Sequence, residues 1–180
     1  TITFGFVVSY FIILCLGGAA MKNRVTVTIA GQEYSTDEKN LDLQGMGLTD
    51  ADIQDLKYMV NLYSLNLREN NITDVSCLTE LPRLESLQLS DNSITDLSPL
   101  ADMTALIDLY VDGNDITDLS PLAEMTQMRY IDVGNNPNLT DLSPLSGMTK
   151  LKGVDFQDVP VTDFSFLSGM TELENLNFNA

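Results

Sequence analysis

The chain contains no histidine and no tryptophan, only two cysteines, and nine Lys and Arg against 26 Asp and Glu. Each shortage removes a class of function. Without histidine the commonest general base and metal ligand is missing, and no serine or cysteine has an imidazole to activate it. Two cysteines do not make a disulfide framework. Cys15 lies in an apolar run, and Cys77 reads as a free, half-buried small residue. The formal net charge of −17 repels phosphate backbones, which proteins meet with Lys and Arg, so nucleic acid is not an expected partner. The simplest role of such acidity is solubility and resistance to self-association. No cofactor and no metal is expected. Asp108, Asp112, Asp132 and Asp155 could approach one another as paired carboxylates do in glycosidases, but a solvated acidic face is the plainer reading, and no loop has a calcium-binding spacing.

What is present is a repeat. ITDLSPLADMTALIDLYVDGND, beginning at Ile94, is followed at Ile116 by ITDLSPLAEMTQMRYIDVGNN. Ile72, Ile94 and Ile116 are 22 residues apart, Leu139 follows after 23, and Val161 after 22 more. A period in this range with the pattern L-x-x-L-x-L-x-x-N-x-L marks a leucine-rich repeat, and Leu106, Leu109, Val111, Asn114 and Ile116 fill it in order. The expected fold is therefore α/β: a leucine-rich-repeat solenoid, or horseshoe, over residues 41–180. Seven short parallel strands form its concave face, with 3₁₀ turns or short helices on the convex face.

The inward strand pairs are Leu41/Leu43, Leu65/Leu67, Leu87/Leu89, Leu109/Val111, Ile131/Val133, Val154/Phe156 and Leu176/Phe178. Asp52 to Val60, capped by Thr49 or Asp50, is expected to make a true short helix. Asp96, Asp118 and Asp141 each precede Leu-Ser-Pro, where the carboxylate can accept backbone N–H groups and proline can open a tight turn. A column of Met59, Leu81, Met103, Met125, Met148 and Met170 reads as packing. Asn70, Asn92, Asn114 and Asn136 form an asparagine column that fails at Met46 and Val159. The inserted residue in Asn136-Pro137-Asn138 should make that turn bulge.

The head of the chain is different. Ile2 to Ala20 carries no charge, which suits a transmembrane anchor or a signal peptide with Gly18-Ala19-Ala20 at its cleavage site. Alternatively, Met21 is the true start. Residues 21–40 read as a hairpin cap, with strands at Val25 to Ile29 and Glu33 to Thr36 turning at Ala30-Gly31. No closing helix follows Phe178, so the last coil should expose its apolar side, as a truncated array would.

The ITDLSPL phrase and the 22-residue period resemble the internalin type of bacterial leucine-rich repeat, and the head resembles repeat proteins of Gram-positive surfaces. The resemblance implies a non-enzymatic, protein-binding concave face at the cell surface, membrane-anchored through residues 2–20 or secreted. The 22-residue period is shared with intracellular phosphatase-regulating proteins, which leaves a cytosolic scaffold starting at Met21 as an alternative. A repeat domain serving an enzyme encoded beyond Ala180 is another. The partner is a protein of unidentified kind, and the sequence leaves the oligomeric state open.

Among outward strand residues, Tyr110 and Tyr130 should be diagonal neighbours, and tyrosine and arginine are enriched at binding hot spots. With Asp108, Asp112, Asp132, Asp155 and the flanking Arg129 they form the expected contact patch. Ordinary strand propensity of tyrosine is the competing explanation. Seven strands about 4.8 Å apart, five residues wide, give on the order of 460 Å², below the ~800 Å² per partner of a standard interface. These repeats alone should bind weakly.

Overall fold

The computed structural model describes residues 25–179. Residues 1–20, expected to be an anchor or signal, and Met21, Lys22 and Arg24 lie outside them. No helix among the described residues is long and apolar enough to cross a membrane.

Strands β1 (Thr26–Ile29) and β2 (Gln32–Ser35) form an antiparallel hairpin. Its two-residue turn is built by Ala30 and Gly31, both at positive φ, the geometry that matches the twist of paired strands. Alternation decides which face packs: Val27 and Ile29 are buried in the core while Thr26 and Thr28 are exposed. The hairpin thus covers one end of the first coil.

The solenoid follows as seven parallel strands in sequence order: β3 (Asn40–Asp42), β4 (Ser64–Asn66), β5 (Ser86–Gln88), β6 (Asp108–Tyr110), β7 (Tyr130–Asp132), β8 (Gly153–Asp155) and β9 (Asn175–Asn177). The central residues Leu65, Leu87, Leu109, Ile131 and Val154 are buried and in direct register. A side chain fully removed from water in this way contributes about 1.5–3 kcal/mol. The last pair behaves differently: Leu176 and Phe178 are 40% and 47% exposed, because no coil among the described residues covers them. Phe178 still stacks on Phe156 at a centroid separation of 5.6 Å.

On the opposite face each coil makes a 3₁₀ turn, including Ser76–Glu80, Ser98–Leu100, Ser120–Leu122, Ser143–Gly147 and Ser165–Gly169. Pro99, Pro121 and Pro144 sit in the first residues of three of them, where no N–H donor is needed. The helix expected over Asp52 to Val60 is not formed. Gln54–Tyr58 is a 3₁₀ turn preceded by Ile53, with no side-chain cap from Thr49 or Asp50. Three residues per turn aligns Ile53, Leu56, Met59 and Leu62, all fully buried, on one side, which 3.6 per turn would not. Asp50 instead bridges coils, accepting the Thr73 N–H at 2.7 Å, its hydroxyl at 2.6 Å and the Asp74 N–H at 3.0 Å. Cys77, expected to be half-buried, is buried in the core at 7% exposure because it packs under its turn where other coils place proline. Burial pushes its thiol up to about 11.

The asparagine column fastens each strand exit to the neighbouring coil. Asn114 Nδ2 donates to the carbonyls of Leu89 and Val111, and its Oδ1 accepts the Ile94 N–H at 2.9 Å. Asn70, Asn92 and Asn136 repeat the set one coil apart. The residue before the column residue is left-handed in every coil from the first to the sixth: Gly45, Glu69, Asp91, Gly113, Asn135 and Asp158. In the sixth coil the Val159 side chain cannot accept a hydrogen bond, so the Leu139 N–H lacks the asparagine that its counterparts use. The expected bulge supplies the substitute: Leu139 N donates to the Asn136 carbonyl at 3.0 Å, within its own coil.

Candidate functional site: the concave face of β6 to β8

Strand alternation points the flanking residues of each Leu, Ile or Val away from the core, and parallel register lines them up. Asp108 lies opposite Tyr130, Tyr110 opposite Asp132, Tyr130 opposite Gly153, and Asp132 opposite Asp155. Two tyrosines and two aspartates therefore alternate as a checkerboard over β6 and β7, and on β8 Asp155 stands directly opposite Asp132, so two acids are neighbours in one column. Tyr110, Asp108, Asp112, Asp132 and Asp155 are half-buried, while Tyr130 and Arg129 are exposed. The register thus gathers Tyr110, Tyr130, Asp108, Asp132 and Asp155, with Asp112 just beyond the end of β6. Arg129 stands at the margin, where its charge acts on Asp108.

The carboxylates have few donors. Asp132 accepts the Gly134 N–H at 3.0 Å. Asp155 accepts the Gln157 N–H at 3.0 Å and the Asn177 amide at 2.7 Å, and Asp112 accepts the Ser90 hydroxyl. Burial raises Asp132 to about 7, with Asp112 and Asp155 adding to it against the Gly134 bond and the more distant Arg68. Burial likewise raises Asp108, with Glu85 assisting and Arg129 opposing. Tyr110 is raised by burial and by the charges of Asp108 and Asp132. A carboxyl near 7 suits proton transfer, but this one lies on an open strand face in a chain without histidine. No group of three or more His, Cys, Asp or Glu among the described residues is placed to hold a metal ion.

Gly153, Ser90 and Asn177 also belong to the patch and are not singled out by the sequence reading. A Cβ at Gly153 would lie 2.7 Å from Tyr130 Cδ1 and 3.1 Å from Cε1, so the ring reclines toward β8 into space that a side chain would fill. A glycine in a strand column is the available signal, because it marks close approach by another group.

The Leucine Rich repeats (2 copies) family model matches residues 60–102, 82–124 and 104–147. Among solved structures, an internalin (inlF) from Listeria monocytogenes is 26% identical with a TM-score of 0.61, covering 82% of this chain and 51% of that one. Internalin C2 from the same organism is 29% identical with a TM-score of 0.55, covering 78% of this chain and 80% of that one. The repeats are similar to leucine-rich repeats of the internalin type. A leucine-rich-repeat protein of Leptospira interrogans, 22% identical with a TM-score of 0.65, shares the fold over 78% of this chain and 37% of its own length. The chain spans about half the length of the inlF internalin it matches. No functionally curated protein sequence matches it.

Proposed function

We propose that this internalin-type repeat array is a non-enzymatic protein-binding module displayed at the cell surface, and that its partner contacts Tyr110, Tyr130 and the surrounding aspartates on the concave face. The observation that carries this reading is the checkerboard itself. Two aromatic rings stand among half-desolvated carboxylates on a sheet face whose backbone bonds are already made. Aromatic anchors with a polar surround are the composition of binding hot spots. The fold class binds proteins across extended concave surfaces, and the likeness to the internalins supports a surface location, as does the uncharged run from Ile2 to Ala20.

The test has two readouts on cells expressing the full reading frame. Protease added to intact cells is expected to digest the repeats without lysis. Protection until lysis would place them inside and favour the scaffold starting at Met21. For the binding face, Tyr110→Ala with Tyr130→Ala is expected to abolish crosslinking to the surface partner, while the convex substitution Glu124→Ala leaves it intact. Equal crosslinking by both variants would remove the concave patch from the function.

A further inference from the structure

The outward columns of the concave face are chemically one-sided. Across seven strands and the residues just after them they carry Asp42, Asp108, Asp112, Asp132 and Asp155 against a single base, Arg68. Arg68 is already engaged, 3.3 Å from Asp91 and 3.6 Å from Glu69. From β6 to β8 no cation stands in these columns, and among the described residues no ion pair within 4 Å reaches Asp108, Asp132 or Asp155. The face is unbalanced in charge but ordered in shape. Tyr130 is held over Gly153, with Asp132 and Asp155 adjacent in register and Tyr110 across from Asp132.

We propose that this face is the docking surface for a protein partner with a basic contact region, and that Tyr130, seated on Gly153 beside Asp132 and Asp155, receives an arginine side chain of that partner. The inference rests on the concave-face reading above and adds the partner's chemistry. A guanidinium combines the two requirements, since its plane stacks on an aromatic ring while its N–H groups reach a carboxylate. Charge complementarity selects this occupant: an acidic or neutral surface would leave desolvated like charges unmatched. Gly153 acts as a positioning residue, because any side chain there would lift Tyr130 from the seat.

Proton linkage gives a second signature. Asp132 is faced by Tyr110 and Asp112 from the coil of β6 and by Asp155 from β8, with Tyr130 on its own strand and Arg68 acting from farther along the sheet. A bound cation displaces the proton that Asp132 carries, so binding tightens as pH rises from about 6 to about 8.

The experiment is an NMR titration of the full chain with N-acetyl-arginine methylamide, using the uncharged citrulline analogue as control. Expected is a weak, saturable response confined to the amides of Tyr110, Tyr130, Asp132, Gly134 and Gly153, absent with citrulline. Gly153→Ala and Asp132→Asn should each weaken it about three- to fivefold, the scale of one exposed cation–π or ionic contact. Asp118→Asn on the opposite face removes a fully ionised carboxylate and should have no effect. Responses scattered over all acidic coils, or Gly153→Ala binding like the parent chain, would overturn the seat. If the seat fails while the double tyrosine variant still abolishes crosslinking on cells, the concave reading stands without it. If the probe binds locally but the tyrosines are dispensable on cells, both are lost.

Discussion

Aspartates on the two faces of the solenoid have opposite fates. On the convex side Asp96, Asp118 and Asp163 each accept the backbone N–H of the serine two residues on at 2.8 Å, which holds their carboxyls below the usual range. On the concave side Asp108 and Asp132 are raised, because burial and neighbouring acids outweigh the donors available. The same side chain is thus spent on folding in one place and left with an unmet demand in the other. A turn supplies free N–H groups at its start. A parallel sheet commits its N–H groups to the next strand and has few to give to side chains standing on its face. Unsatisfied charge on an ordered face is where a partner gains most.

The comparison can be broken outright by removing the floor that both faces share. Leu109→Ala empties a fully buried site between Asp108 and Tyr110 and should cost about 2–5 kcal/mol in urea unfolding, with both sets of shifted carboxyls returning toward ordinary values. Next in size is Asn114→Ala at the seam between the faces. It orphans the Ile94 N–H, while the Leu89 and Val111 carbonyls lose one of two amide donors and keep Asn92 and Asn136, and a loss of about 1–3 kcal/mol is expected by the same measurement.

Two milder changes sharpen it, and their signs oppose. Asp132 has a raised folded pKa, so its contribution to stability is present below the unfolded value near 3.8 and is lost as pH rises to about 7. Asp132→Asn should therefore leave stability unchanged near pH 4 and raise it at pH 8, by on the order of 1 kcal/mol once solvent screening is allowed for. Asp118 has a lowered pKa, so its contribution is present above 3.8 and lost as pH falls through the folded value. Asp118→Asn should give the smallest effect, a slight fall in Tm at neutral pH that vanishes as the pH falls below 3.8 and through the lowered folded value. Thermal melts across pH would expose an error in either assignment, since equal signs for the two variants contradict the contrast.

Much of the architecture was legible because the repeat states each rule several times. Leu65, Leu87 and Leu109 recur at one spacing, so the register of β4 to β6 follows from counting, and the Asp-x-Ser-Pro phrase specifies its turn through local bonds alone. Tyr110 and Tyr130 were placed as diagonal neighbours by the same arithmetic. The local propensity of Asp52 to Val60 suits a helix, but the buried spacing of Ile53, Leu56 and Met59 requires three residues per turn, and the 3₁₀ turn Gln54–Tyr58 forms instead.

By itself, then, the sequence determined the number and order of the strands, which residues face out, and the asparagine bonds along the column, since these follow from periodicity and short-range chemistry. Only the tertiary structure decided which carboxyls are raised, where the Tyr130 ring lies, and how the Leu139 N–H is satisfied after the column ends. Those depend on distances between residues about one coil apart and on water excluded by neighbours, neither of which is written in any single repeat.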